Sequence, residues 1–159
     1  SINYNPMKNL RNIFLVLFTI NIVFGNEIEK NKILNIMVDI NYELINPKKQ
    51  NLDIYFDYPF SYNLEDQTLF ATNNRELKKL FKKIRKGFKK DYSYSDWKKM
   101  NVKLLNNNIA IVNAMFSRLN KNSETYYTGA AMYIFRKTEN KWKVFSITPL
   151  KPYNYFEFD

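Results

Sequence analysis

Residues 108–148 decide the fold: NIAIVNAMFSRLN (108–120), TYYTGAAMYIFRK (125–137) and KWKVFSIT (141–148), separated only by Lys121-Asn122-Ser123-Glu124 and Thr138-Glu139-Asn140. Each run is rich in β-branched and aromatic residues, and each connection is short and polar. Connections of that length join antiparallel strands, because a parallel pair needs a long crossover. The last third of the chain is therefore expected to be a curved antiparallel meander. Within 109–119, Ala110, Val112, Ala114, Phe116 and Arg118 share one face, and Ile109, Ile111, Asn113, Met115, Ser117 and Leu119 share the other. Both faces are largely apolar. This predicts a central strand covered by helices on one side and by something else, such as a partner subunit, on the other.

Upstream lie two helical patterns. From Glu27 to Ile45, apolar residues at Ile28, Ile33, Leu34, Ile36, Met37, Ile40, Leu44 and Ile45 fall three and four apart, and Asn46-Pro47 ends the run. Lys48 to Phe56 reads as a short second helix, with Leu52 and Phe56 four apart. Pro59 then forces 57–62 into extended chain, and 67–71 (QTLFA) reads as a short strand. Thr72-Asn73-Asn74 can cap a third helix over 75–90, whose inward series is Leu77, Leu80, Phe81, Ile84 and Phe88. Its other face carries Arg75, Lys78, Lys79, Lys82, Lys83, Arg85, Lys86, Lys89 and Lys90, and Gly87 loosens its last turn. Residues 92–105 resume β character and turn through Asn106-Asn107-Asn108 into the meander.

The N-terminus reads as an export signal preceded by upstream residues, with a start at Met7. Lys8 and Arg11 lead into an apolar block from Ile13 to Phe24, and Gly25 offers a cleavage point. A helix that short reaches about 18 Å, less than the ~30 Å hydrocarbon core of a bilayer. The expected division is thus 1–25 signal, 26–150 domain and 151–159 C-terminal tail, with the mature protein exported to the periplasm or beyond. Cleavage would remove Lys8 and Arg11 and no acid, lowering the net charge from +10 to +8. The aromatic share of 17% suffices for a core in a chain of 159 residues, and no repeat is visible.

The chain contains no cysteine and no histidine. Disulfides, thiolate chemistry, a Ser-His-Asp triad, a His-ligated metal and an imidazole base are therefore all excluded. Carboxylates show no loop-like clustering of the kind an oxygen-ligated metal needs. No cofactor and no metal are expected.

The element order resembles that of the nuclear transport factor 2-like (SnoaL-like) superfamily over nearly all of 27–148. Tyr55-Phe56-Asp57-Tyr58-Pro59-Phe60 is similar to its turn from second helix into first strand. Asn107 to Val112 with Phe116-Ser117-Arg118 is similar to its central strand. Ala130 to Arg136, followed by Asn140-Lys141-Trp142-Lys143-Val144, is similar to its closing hairpin, with Asn140-Lys141 where a glycine is usual; Asn tolerates left-handed turn geometry. The resemblance implies an α+β, cone-shaped, cystatin-like fold in which N-terminal helices pack on a curved antiparallel sheet around a pocket. It implies no single activity.

Two functions follow as expectations. The first is an exported, non-enzymatic domain that binds a small apolar or amphipathic ligand or dimerises through its sheet face. The second is a small isomerase- or dehydratase-type enzyme, since the resemblance implies an Asp near the start of the first strand as proton acceptor. Asp57 with Tyr42 would fill that role, with Tyr58 a further donor and Asp39 and Asp53 other acids at the cone mouth. Pocket candidates are Tyr42, Tyr55, Asp57, Tyr58, Trp97, Arg118 and Tyr133. Arg118 can clamp a carboxylate or phosphate, or else pair with Glu124, Asp57 or another acid. The basic face of 75–90 is expected to be solvated, with weak contact to anionic surfaces and no role with nucleic acid.

Overall fold

The computed structural model describes residues 25–43 and 51–158. The expected signal up to Phe24 and the Asn46-Pro47 stop lie outside the described residues. Helix α1 covers 25–43 and buries Ile33, Met37 and Ile40, while Ile28 stays exposed. Strands β1 (Phe56–Asn63) and β2 (Thr68–Ala71) form a hairpin, followed by helix α2 (Asn74–Lys86). Strands β3 (Tyr92–Leu104), β4 (Ile109–Asn120), β5 (Thr125–Thr138) and β6 (Lys141–Leu150) form the expected meander. The sheet order is β2-β1-β6-β5-β4-β3. Every pairing is antiparallel except β1 with β6, which is parallel and brings the first strand beside the last.

The sheet is curved and unclosed. Register shifts within the β3–β4, β4–β5, β5–β6 and β1–β6 pairings locate the bulges that bend it. At the β5–β6 turn, Thr138 pairs with Lys141, leaving Glu139 (φ 51°) and Asn140 (φ 60°) as a two-residue loop. Positive φ at both central residues matches the strand twist, so the missing glycine leaves the hairpin intact.

Two expected elements are corrected. The segment read as a second helix is, in its described part, a single 3-10 turn at Leu52–Ile54, and Phe56 already opens β1. Leu52 and Phe56 are both fully buried, so their spacing reflects two inward side chains on either side of a bend. The third helix stops at Lys86, not at 90. Its start is as read: Asn73 accepts from the Glu76 N–H at 3.1 Å, while the Glu76 carboxylate takes the Thr72 N–H at 2.8 Å. Its end tightens as Gly87 and Phe88 bond back to Ile84 and Arg85, which releases Phe88 to pack on Tyr92.

The concave side of the sheet, α1 and α2 enclose one core, including Phe56, Phe60, Leu77, Val112, Phe135 and Val144. Part of the convex side is covered by the chain's own C-terminal residues. The buried Asn113 side chain donates to the Phe156 carbonyl at 2.5 Å, and the Phe158 N–H donates to Asn101 at 3.2 Å.

Helix α1 is fixed to the sheet at two levels. Trp97 donates to the Met37 carbonyl at 3.2 Å and Asn41 to the Ser95 carbonyl at 2.7 Å, both from or to β3. On the opposite side, Glu29 accepts from Trp142 at 2.6 Å and pairs with Lys137 at 2.5 Å and with Lys32 at 2.6 Å. The Lys137 contact, then Lys32 and Trp142, hold the Glu29 carboxyl at about 2 against an ordinary 4.5, burial opposing them. A depressed folded value stabilises above the unfolded value and is lost as pH falls from about 4.5 through about 2. Between pH 6 and pH 2.5, Glu29→Gln should lose less stability in urea than the parent, by roughly 1–2 kcal/mol after allowance for solvent screening. Equal losses would show that Glu29 is not a tether.

Candidate functional site

A cavity of about 610 Å³ opens between α1, α2 and the concave face of the sheet. Strand register builds its wall. In one row Trp97, Phe116 and Gly129 are paired across β3, β4 and β5, and in the next Ser95, Arg118 and Tyr127. On the other side, Tyr133 pairs with Ile147, and Ile147 with Tyr62 of β1. Trp97 meets Phe116 and Tyr133 edge to face, each at 6.0 Å. Ala130, Ala131 and Pro149 leave the space open, and Phe81, Ile84 and Phe88 close it from α2 and the segment after it. Leu64, Lys78, Lys82 and Tyr127 are its exposed rim.

Arg118 projects into this space with its guanidinium 3.7 Å from the Phe88 ring centre, 4.6 Å from Tyr127 and 5.3 Å from Phe116. Gly129 makes this cage possible. A Cβ there would lie 2.7 Å from Tyr127 Cε1 and 2.9 Å from Phe116 Cζ. Burial pushes the Tyr133 hydroxyl well above its ordinary range, and Tyr62 in the same direction, with Arg118 opposing both. Both therefore remain O–H donors at neutral pH. Arg118, Lys78, Lys82 and Arg85 line the cavity, and no carboxylate among the described residues does.

Of the residues singled out from sequence, Trp97, Arg118 and Tyr133 meet in the cavity; Tyr42, Tyr55, Asp57 and Tyr58 do not line it. Tyr42 is 66% exposed. Asp57 sits on β1 where it accepts from the Arg136 guanidinium, from the Thr138 hydroxyl at 2.8 Å and from the Tyr58 N–H at 2.9 Å. Burial alone would raise its carboxyl, but Arg136, Thr138 and that backbone bond hold it below its ordinary value. Tyr58 donates instead to Asp53 at 2.8 Å, which also takes Asn74 at 2.8 Å and so ties the 3-10 turn to α2. These carboxylates are engaged in holding elements together. Asp57 is thus taken up by Arg136, Thr138 and the Tyr58 N–H, and Glu124 accepts from Asn120 at 2.9 Å; among the described residues no ion pair joins Arg118 to either acid. The basic face of α2 is largely exposed, and its Lys78, Lys82 and Arg85 also border the cavity.

Sequence reasoning missed Tyr62, Phe88, Phe116 and Tyr127 as wall residues. One signal was present. On β5, Tyr127, Gly129, Ala131 and Tyr133 alternate onto one face, and two small residues between two tyrosines mark a place where a concave wall keeps room.

A curved sheet wrapped over helices around an aromatic cavity defines the cone-shaped, cystatin-like class. The family described as "NTF2-like protein (DUF6841)" matches residues 44–152, and the chain belongs to it. No curated protein matches the chain in sequence. Among solved structures, it is similar to a protein of unknown function with a cystatin-like fold from Nostoc punctiforme, at 14% identity over 77% of this chain and 91% of that one, TM-score 0.64. It is also similar to an NTF2-like protein with a cystatin-like fold from Novosphingobium aromaticivorans, at 10% identity over 97% and 94%, TM-score 0.63. A third is the association domain of C. elegans CaMKII, at 12% identity over 79% and 97%, TM-score 0.60. At such identities the likeness concerns the fold.

Proposed function

We propose that the mature domain is an exported, non-enzymatic binder of a small apolar or amphipathic molecule, which it holds inside the cone. The observation that carries this reading is the aromatic cavity of about 610 Å³, whose wall holds no carboxylate among the described residues. Its size suits a small organic ligand, and its walls are the apolar, ring-rich kind that such ligands need. An isomerase or dehydratase would need a proton acceptor facing the bound molecule. Asp57, the residue suited to that role, is turned to Arg136 and Thr138 instead. Export is supported by the pattern Lys8–Gly25, and cleavage after Gly25 keeps Ile33, Met37 and Ile40 on the mature chain. The likeness in fold to an association domain supports self-association as a further part of the reading. Residues 156–158 then lie on the sheet face that a second copy would meet.

The test is fluorescence titration of the mature protein with N-phenyl-1-naphthylamine, an uncharged apolar probe, joined to native mass spectrometry of protein purified from its own host. The expected result is saturable binding of one probe per chain with micromolar affinity, and a retained small molecule in the native spectrum. Non-saturable enhancement with no retained mass would overturn the binding reading.

A further inference from the structure

The two arginines of the sheet, Arg118 on β4 and Arg136 on β5, differ in one respect. Arg136 has an acid: its guanidinium pairs with Asp57 and donates to the Tyr58 carbonyl at 2.8 Å. Arg118 is stacked among three rings, yet no hydrogen bond or ion pair among the described residues uses its N–H edge. A guanidinium carries five donors in a fixed fork, and in a partly desolvated site they favour an anionic acceptor. The stacking leaves that edge available and fixes its direction, since rings contact the face of the plane. Lys78 and Lys82 on the rim form no ion pair among the described residues, and Arg85 lies over Tyr92 at 5.6 Å. The cavity is thus apolar in body and of one sign in charge. Water alone would satisfy the donors, but a ligand with an acceptor at that point gains a charge-assisted contact as well as burial of its apolar part.

We propose that the cavity selects a molecule with an apolar, ring-bearing body and one anionic head group, seated on the N–H edge of Arg118. This rests on the binding reading above and gives it a ligand class: an aromatic or amphipathic acid, not a neutral lipid or a cation. The body lies against Trp97, Phe116 and Tyr133, and the Tyr62 and Tyr133 hydroxyls supply further donors near the head. Lys78 and Lys82 raise the local anion concentration at the mouth without fixing the head group.

The experiment is displacement of N-phenyl-1-naphthylamine by 2-naphthoate and by 2-naphthamide, which share a ring system and differ in charge. Naphthoate should displace at a concentration at least about 10-fold lower than the amide. Arg118→Gln should bring that ratio to about 1 by weakening naphthoate alone, Arg118→Lys should keep part of it, and the Lys78→Gln/Lys82→Gln pair should keep most of it. Near-ultraviolet circular dichroism checks that each variant is folded; the ratio in the unaltered protein needs no variant. Equal displacement by acid and amide while the fluorescent probe still binds would overturn the anionic class and leave the binding reading standing. A ratio retained in folded Arg118→Gln would overturn the seat on Arg118. Failure of all three molecules to bind would overturn both readings.

Discussion

Phe56→Ala should lower the stability of the domain by roughly 3–5 kcal/mol, seen as a large fall in the denaturant midpoint at unchanged slope. Phe56 is fully buried at the start of β1. Its ring packs edge to face on Phe60 at 5.4 Å and at a tilt on Phe81 at 5.2 Å, and Phe60 and Phe81 are 6.0 Å apart. The three rings join the first strand to α2. Phe56 also pairs in register with Val144 of β6, so its loss leaves a void where strand, helix and closing hairpin converge. A neighbouring side chain cannot fill that void without leaving its own contacts. Domains of this size are stable by only about 5–15 kcal/mol, so the variant should be partly unfolded near physiological temperature. Phe56→Leu should lose much less, because it keeps most of the volume. A loss under about 1 kcal/mol for the alanine variant would show that this cluster does not join the two layers.

The same residue shows what could and could not be read from the chain. Leu52 and Phe56 are four apart, which fits a helix face; it fits equally a turn followed by a strand when both side chains point inward. Only the tertiary pairing with Val144 decides. The meander was legible because its signals are local: alternation within each run, and connections too short for anything but hairpins. Helix α2 was legible from its cap and apolar series, and its end was misjudged because Gly87 permits a change of winding without forbidding the helix. The parallel β1–β6 pairing has no local signature. Arg118 and Arg136 sit near strand ends in similar company, and no pattern says which will find an acid. Asp57 chose Arg136 because the β5–β6 hairpin folds back beside β1, placing Thr138 and Arg136 around one carboxylate. What the sequence could not carry was the non-local choice of partner that ties Asp57 to Arg136 and Thr138.

Ala131→Trp should abolish binding of N-phenyl-1-naphthylamine, with at least about a 10-fold loss of affinity, while leaving the domain folded. Ala131 is 4% exposed, faces Ala114 on β4 and Pro149 on β6, and lies on the cavity wall two residues from Tyr133. Three small or ring-closed side chains meeting at one level of a concave sheet are why the core does not close there. An indole added at that point has empty space to enter, so the usual overpacking penalty of about 1–3 kcal/mol should be only partly felt. It would occupy cavity volume beside Trp97 and Tyr133 that a ligand body needs. The same indole at Thr128, an exposed position on β5, tests added bulk alone. Thr128→Trp should bind the probe normally. If Ala131→Trp binds it equally well, the probe sits on the surface and the cone is not a container. If binding vanishes only in Ala131→Trp, with both variants unfolding cooperatively, the small side chains of β4 and β5 are what create the site, and the surrounding aromatics choose what enters it.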